Sequence, residues 1–226
     1  FIPNAKGGKA DYIGNDEAAM EQADPEYAEQ IGKSSHYWGG QKFSGGAIYF
    51  GAVAFFLFII GLVFIKDSLK YPVIFLSIIV MGLAAKDGFL NDFFIDHIPM
   101  YNKFRDSKMI LVLLQVMIPL IGMMFLDKAI KQEGLWGKQK IWLIGSGIIV
   151  FIGLVLYAAP SISGSFMGAD ELKQFNDYAA QTKDQAQISF ISGLKNSLID
   201  TRMNIYRSDA GRTLLFFIVS AGLVLL

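Results

Sequence analysis

Five apolar stretches without a single Asp, Glu, Lys or Arg, at residues 44–65, 71–85, 109–126, 141–159 and 213–226, punctuate this chain. A helix rises ~1.5 Å per residue, so roughly 20 apolar residues cross ~30 Å of hydrocarbon. The first, third and fourth stretches come close to that length. The second is short, and must be extended, thin the bilayer or stop within it; the fifth reaches the last residue of the sequence. With 53% hydrophobic residues and 19 Phe among 226, the chain carries more apolar surface than a soluble domain of this size hides. The expected fold class is all-α, a polytopic integral membrane helical bundle of about five transmembrane helices with helical loops outside the membrane.

Orientation follows from the Lys and Arg of short loops. Lys66 and Lys70 separate the first two stretches, and Lys128, Lys131, Lys138 and Lys140 separate the third and fourth. These loops are expected on the cytoplasmic side. Residues 1–43 are then an extracytoplasmic polar loop or tail and 44–159 a four-helix transmembrane region with an interfacial loop at 86–108. Residues 160–212 form an extracytoplasmic helical segment, and 213–226 begin a fifth transmembrane helix. The sequence reads as an internal segment of a larger protein, since Phe1 is no initiator and nothing like a signal peptide precedes the first stretch.

Within the polar segments, residues 1–35 are rich in Asp, Glu, Gln, Ala and Gly, weakly helical over 16–30 with an interruption at Pro25, and read as a solvated loop. Residues 170–206 are helical by pattern. Leu172, Phe175, Tyr178 and Thr182, then Ile191, Leu194 and Leu198, recur at steps of three or four, with Asp170 and Glu171 suited to the first turn by cap and dipole. Inside the apolar stretches, Pro119 is expected to kink the third and free the carbonyl of Gln115. Gly145, Gly147 and Gly153 are expected to bring a neighbouring helix close to the fourth.

Chemistry concentrates in residues 86–108, KDGFLNDFFIDHIPMYNKFRDSK. Ionised groups interleaved with aromatics cannot cross hydrocarbon, but suit an interface with rings toward lipid and charges toward water. Lys103 and Arg105 would share one face of an extended strand, and Arg is well made to grip phosphate. Tyr101, Lys103 and Arg105, with Arg207 of the 160–212 segment, are candidate substrate-binding residues; Arg202 and Arg212 lie near enough in sequence to join them. Trp38 and Gln41, beside Tyr37, are candidates for placing a sugar by stacking and hydrogen bonding. Asp96 is a weak candidate catalytic base, with a structural ion pair to Lys103 or Arg105 the competing assignment.

A net charge of zero argues against nucleic-acid binding, and the lack of Cys removes disulfides and thiolate chemistry. His97 has no partner pattern, so no metal site is expected. The cofactor stays open: a divalent metal is compatible, but nothing in this segment indicates one.

Three blocks carry a family resemblance. YWGGQKFSGGAIYFGAVAFFLFIIGLVFIKDSLK at 37–70 and DFFIDHIPMYNKFRDSKMILVLLQVMIPLIG at 92–122 resemble the YfhO family of large bacterial membrane proteins, in its Bacteroidetes form; RMNIYRSDAGRTLLFF at 202–217 resembles it more weakly. The resemblance implies a multispan enzyme of the bacterial cytoplasmic (inner) membrane, similar to the C-type glycosyltransferase superfamily. Such an enzyme takes a sugar from a polyprenyl-phosphate donor and modifies an envelope polymer, lipid or protein. It also implies membrane lipid as a partner, and an acidic catalytic residue upstream of this segment. Two rival classes remain open, a transporter or flippase of lipid-linked intermediates and a noncatalytic membrane scaffold.

Overall fold

The computed structural model describes residues 2–8, 11–39, 48–85, 88–103, 107–131 and 139–225. Among them the fold is all-α. The helices are α1 (Glu17–Met20), α2 (Ala28–Gly32), α3 (Ala52–Phe64), α4 (Lys70–Ala84), α5 (Phe89–His97), α6 (Val112–Ile130), α7 (Gln139–Ala158), α8 (Ala169–Gln181) and α9 (Gln185–Leu225). The chain divides into two units. An apolar unit contains Phe50–Phe151 and Leu215–Leu226, and a polar unit contains Ile2–Tyr49 and Ile152–Leu214.

The apolar unit is built on α3 against α6. Gly61 of α3 sits where an added Cβ would come within 2.8 Å of Ile121 Cγ2, and a Cβ on Gly122 of α6 would meet Leu57 Cβ at 3.1 Å. Two small residues thus let the backbones approach, the packing logic of helices in lipid. On α7, Gly147 faces open space and a Cβ on Gly145 would meet only Ile60 at 3.4 Å, while Gly153 is buried. Around this seam Phe56, Phe64, Ile121, Phe125 and Trp142 are buried together, with the Trp142 ring 5.0 Å from Phe64 and 5.2 Å from Phe125. α6 runs through Pro119 as one helix, and Gln115 is exposed.

Among the described residues one helix, Lys108–Ile130 including the tight turn ahead of α6, is long and apolar enough by itself to cross a membrane, with 23 residues and an 18-residue stretch of mean hydropathy 2.5. α3 and Trp142–Ala158 are apolar but shorter, and α4 and α5 are bent by 79° at a break between them. The first stretch therefore falls short of its expected length. Gly51, at φ +88°, precedes α3 and is not helical, so the helix keeps 13 residues.

The polar unit corrects the expectation of a solvated tail. Ile13 and Ile31, both at 0% exposure, form a core with Ala19, Ala23, Met167 and Leu198, and α1 and α2 fall on either side of Pro25. Asp16 caps α1, its side chain accepting from the Ala19 N–H at 3.1 Å. The segment predicted as one helix over 170–206 is two. α8 stops at Gln181, and Asp184 starts the next helix by accepting from the Ala186 N–H at 2.9 Å. α9 then continues for 41 residues, so the expected fifth apolar stretch continues the same helix.

Candidate functional site

The polar unit is organised around a cation. Arg202, at 0% exposure, donates from Nη1 and Nη2 to the Glu171 carboxylate at 2.6 and 2.9 Å, to the Phe166 carbonyl at 3.2 Å and to the Ser35 carbonyl at 2.7 Å. Its guanidinium lies 5.6 Å from the Trp38 ring centroid. One side chain thereby ties α9 to the start of α8, to the loop before it and to the segment after α2. Its place was legible in part, because Leu194, Leu198, Arg202 and Tyr206 recur every four residues along one stripe of α9. Arg202 is therefore a core ion pair and is not available to a phosphate. Glu171, read as a helix-dipole residue, is its counter-ion; Gly168 caps α8 with no side-chain bond.

Trp38 belongs to the same core. It is 3% exposed and packs on Phe166 at 5.8 Å between ring centroids, while Phe166 meets Tyr206 edge-on at 5.6 Å. An indole covered by a guanidinium and a phenyl ring has no free face for a sugar, so the expected stacking role is replaced by a structural one. Tyr206 shares a short hydrogen bond with Ser163, and burial pushes its hydroxyl up, against the lowering effect of that bond.

Next to this core opens a polar cavity of about 660 Å³ lined by Asn4, Gly7, Asp11, Tyr12, Asn15, Asp16, Glu17, Ala18, Glu21 and His36. That volume falls within the ~300–1,000 Å³ of small-molecule sites. Its wall is hydrogen-bonded from within. Asp11 Oδ1 accepts from the Tyr12 N–H at 2.8 Å and from Asn15 Nδ2 at 2.7 Å. His36 contacts the Gly7 carbonyl through Nδ1 and Asp16 Oδ2 through Nε2 at 3.1 Å. Asn4 donates to the buried Asp209 carboxylate at 3.2 Å.

Electrostatics separate the two aspartates. Partial burial pushes the Asp16 carboxyl up, but the His36 bond, the α1 amides and the His36 charge outweigh it and hold the group below the usual carboxylate range. Burial dominates at Asp209 and raises it, against the lowering effects of Asn4, Arg212 and His36. Carboxylates, amides and an imidazole side by side make a surface of alternating acceptors and donors, suited to the hydroxyls of a polyol. No signal in the sequence pointed to this cavity beyond Asp16 standing ahead of a short helical run. Its wall joins loops, and loops carry no periodicity. Among the described residues no cluster of three His, Asp or Glu side chains is arranged to hold a metal ion.

The remaining candidates fall in other places. In the apolar unit, Tyr101 donates to the Asn91 side chain at 3.1 Å and packs edge-on against Phe94; burial raises its hydroxyl. Lys103 ends a one-turn helix, Tyr101–Lys103, and is exposed, so it does not follow the extended alternation expected with Arg105. Asp96 is exposed on α5 and makes no ion pair with Lys103. Arg207 belongs to the polar unit, half-buried, with its Nη1 3.5 Å from Asn204 Oδ1. Arg105 and Gln41 lie outside the described residues. No family model, curated protein or solved structure matches this chain.

Proposed function

We propose that this chain is part of a YfhO-like membrane glycosyltransferase that moves a sugar from a polyprenyl-phosphate donor to an envelope acceptor outside the bacterial cytoplasmic membrane. The polar cavity of Asn4, Asp11, Asp16 and His36 carries the proposal: it offers hydroxyl-binding groups and an ionised carboxylate in a volume fit for a sugar. Recognition of hydroxyls is assigned to that cavity. Lys103, exposed after the amphipathic α5 and with Arg105 two residues on in sequence, stays a separate candidate for a phosphate contact within the apolar unit. The apolar unit supports membrane insertion as a bundle, since Phe75 and Met123 stand 67% and 64% exposed and suit lipid rather than water.

The test is transfer of radiolabelled sugar from polyprenyl-phosphate donors to envelope fractions by the full-length protein. Asp16→Asn keeps the helix cap and removes the carboxylate, and is expected to lower transfer about 100-fold at unchanged protein level. Undiminished transfer removes the cavity from the chemistry. A second reading, a flippase for lipid-linked intermediates, is favoured by the 79° break between α4 and α5, because broken helices mark transporter sites. Movement of a labelled polyprenyl lipid across reconstituted vesicles, with no sugar transfer, would decide for it.

A further inference from the structure

The hairpin of α8 and α9 leaves a groove that the fold itself does not fill. Gln174, Tyr178 and Gln181 recur at steps of four and then three along α8, and Gln187, Ile191 and Leu194 do the same along α9, so each set forms one stripe. Two facing stripes close on each other when both are apolar. These do not close: no residue of α8 is buried, and the two stripes line a cavity of about 690 Å³ between the helices, within the ~300–1,000 Å³ of small-molecule sites. Its floor is apolar and fixed, since Phe175 and Leu194 pack on the buried core of Ile13, Ile31 and Leu198. Above the floor the Tyr178 ring stands 65% exposed.

The rim is made of amides. Gln187 accepts at Oε1 from the Thr182 hydroxyl at 2.7 Å across the turn, which fixes the side chain and leaves its NH2 as a donor. Gln174 and Gln181 are exposed, each able to donate and accept. Among the described residues of the lining, Glu171 alone is charged, and its ion pair with Arg202 at 2.6 Å already neutralises it. A phosphate or an ammonium therefore finds no counter-charge here, and a purely apolar ligand would set three amides against carbon. A sugar ring meets both demands, with C–H groups on one face and hydroxyls around its edge. We propose that the groove is a second saccharide site, in which a neutral sugar unit lies on Tyr178 and shares its hydroxyls with Gln174, Gln181 and Gln187. A membrane surface is the poorer occupant, because α8 carries Asp170, Glu171 and Asp177 against Lys173 alone, and an anionic lipid surface repels that charge. The site shares no residue with the polar cavity and does not rest on sugar transfer there.

Full-length protein in lipid nanodiscs is titrated with neutral tetrasaccharides built from glucose, galactose, mannose or N-acetylglucosamine, and binding is read by calorimetry and saturation-transfer NMR. At least one is expected to bind. Tyr178→Ala is expected to weaken it about tenfold and Gln187→Ala about fivefold. Both residues are exposed, so neither change disturbs a core, and Asp16→Asn in the polar cavity is expected to leave the affinity unchanged. No binding by any of the four overturns the proposal. So does binding that Asp16→Asn abolishes and Tyr178→Ala spares, which returns the sugar to the polar cavity. Because binding and not transfer is read, failure here leaves the transfer reading standing, and loss of transfer leaves this site standing. The chain has no Cys, so a spin label on Gln174→Cys reports what covers the groove. Access to a water-soluble nickel reagent is expected. Stronger access to oxygen dissolved in lipid would show a membrane-lying α8, nickel access lost in washed native membranes would show a protein occupant, and either result overturns the site.

Discussion

The two units bury their residues for opposite reasons. In the apolar unit the interior and the outward surface are equally hydrophobic: Phe125 and Ile121 lie inside while Val116 and Met123 of the same helix face out, and the charged residues fall outside the apolar stretches. In the polar unit a charged side chain, Arg202, is fully enclosed, as are Tyr206, Ile13 and Ile31. The difference shows two ways of making a core specific. Lipid-type packing selects a helix pair by shape, through Gly61 and Gly122, because hydrophobicity there does not distinguish inside from outside. The polar unit selects its partners by a guanidinium whose two terminal nitrogens the Glu171 carboxylate and the Ser35 and Phe166 carbonyls engage together, leaving Nε buried without a partner.

The strongest way to break this contrast is Arg202→Met. It leaves Glu171 without its counter-ion and two carbonyls without donors, and is expected to destabilise the polar unit by about 3–5 kcal/mol. Denaturant unfolding followed by proteolysis within residues 2–8 and 11–39 should register the loss, while cleavage within α6 stays unchanged. Equal collapse of both units would show that the contrast is not one of independent cores. Next comes Gly61→Val, which forces α3 from α6 at the Ile121 contact, with an expected cost of about 1–3 kcal/mol confined to the apolar unit. Thermal unfolding in detergent, read at Trp142, checks it.

Two smaller effects turn on pH. Asp209 has a carboxyl raised by burial, so its folded value lies above its unfolded one. What it adds to stability is present below the unfolded value and lost as pH rises through the folded one. Asp209→Asn is accordingly expected to raise the unfolding midpoint at neutral pH and to change little in acid. Asp16 has the opposite sign. Its folded value is depressed, so its contribution is present above the unfolded value and lost as pH falls through the folded one. Asp16→Asn should flatten the acid limb of the stability curve, and a midpoint-versus-pH series on the two variants separates them. The smallest change is expected from Lys33→Ala, whose partner Glu29 sits one turn away with both side chains 74% exposed. Water already solvates that pair, and a measurable loss there would mean that the surface of the polar unit contributes more than its core suggests.

Much of the apolar unit was legible from residue order alone. A run such as 109–126 must be a helix wherever it is dehydrated, because no other local structure satisfies its backbone, and α6 lies over it. The mixture of rings and charges in 86–108 was legible too, and among its described residues Phe89, Ile95 and Met100 stand exposed. The length of α3 was not, because a positive φ at Gly51 is a conformational choice that composition does not reveal. For the candidate site the balance reverses. Trp38 and Arg202 stood out by residue type as surface groups for a sugar and a phosphate, yet they cover one another in the core. The cavity residues Asn4, Asp16 and His36 looked like solvated loop.

By itself, then, the sequence determined helix as the local structure, the places where hydrocarbon is tolerated, and the spacing that puts Arg202 on the inner stripe of α9. Those follow from hydropathy and period, which are properties of neighbours along the chain. Only the tertiary structure decided that residues 2–8 and 11–39 fold, that Arg202 is a keystone, and that Asp16, His36 and Asn4 share one wall. Those outcomes depend on pairings such as Ser35 with Arg202, 167 residues apart. A hydrogen-bond donor is specified by geometry in space, and carries no trace of its partner in the residues beside it.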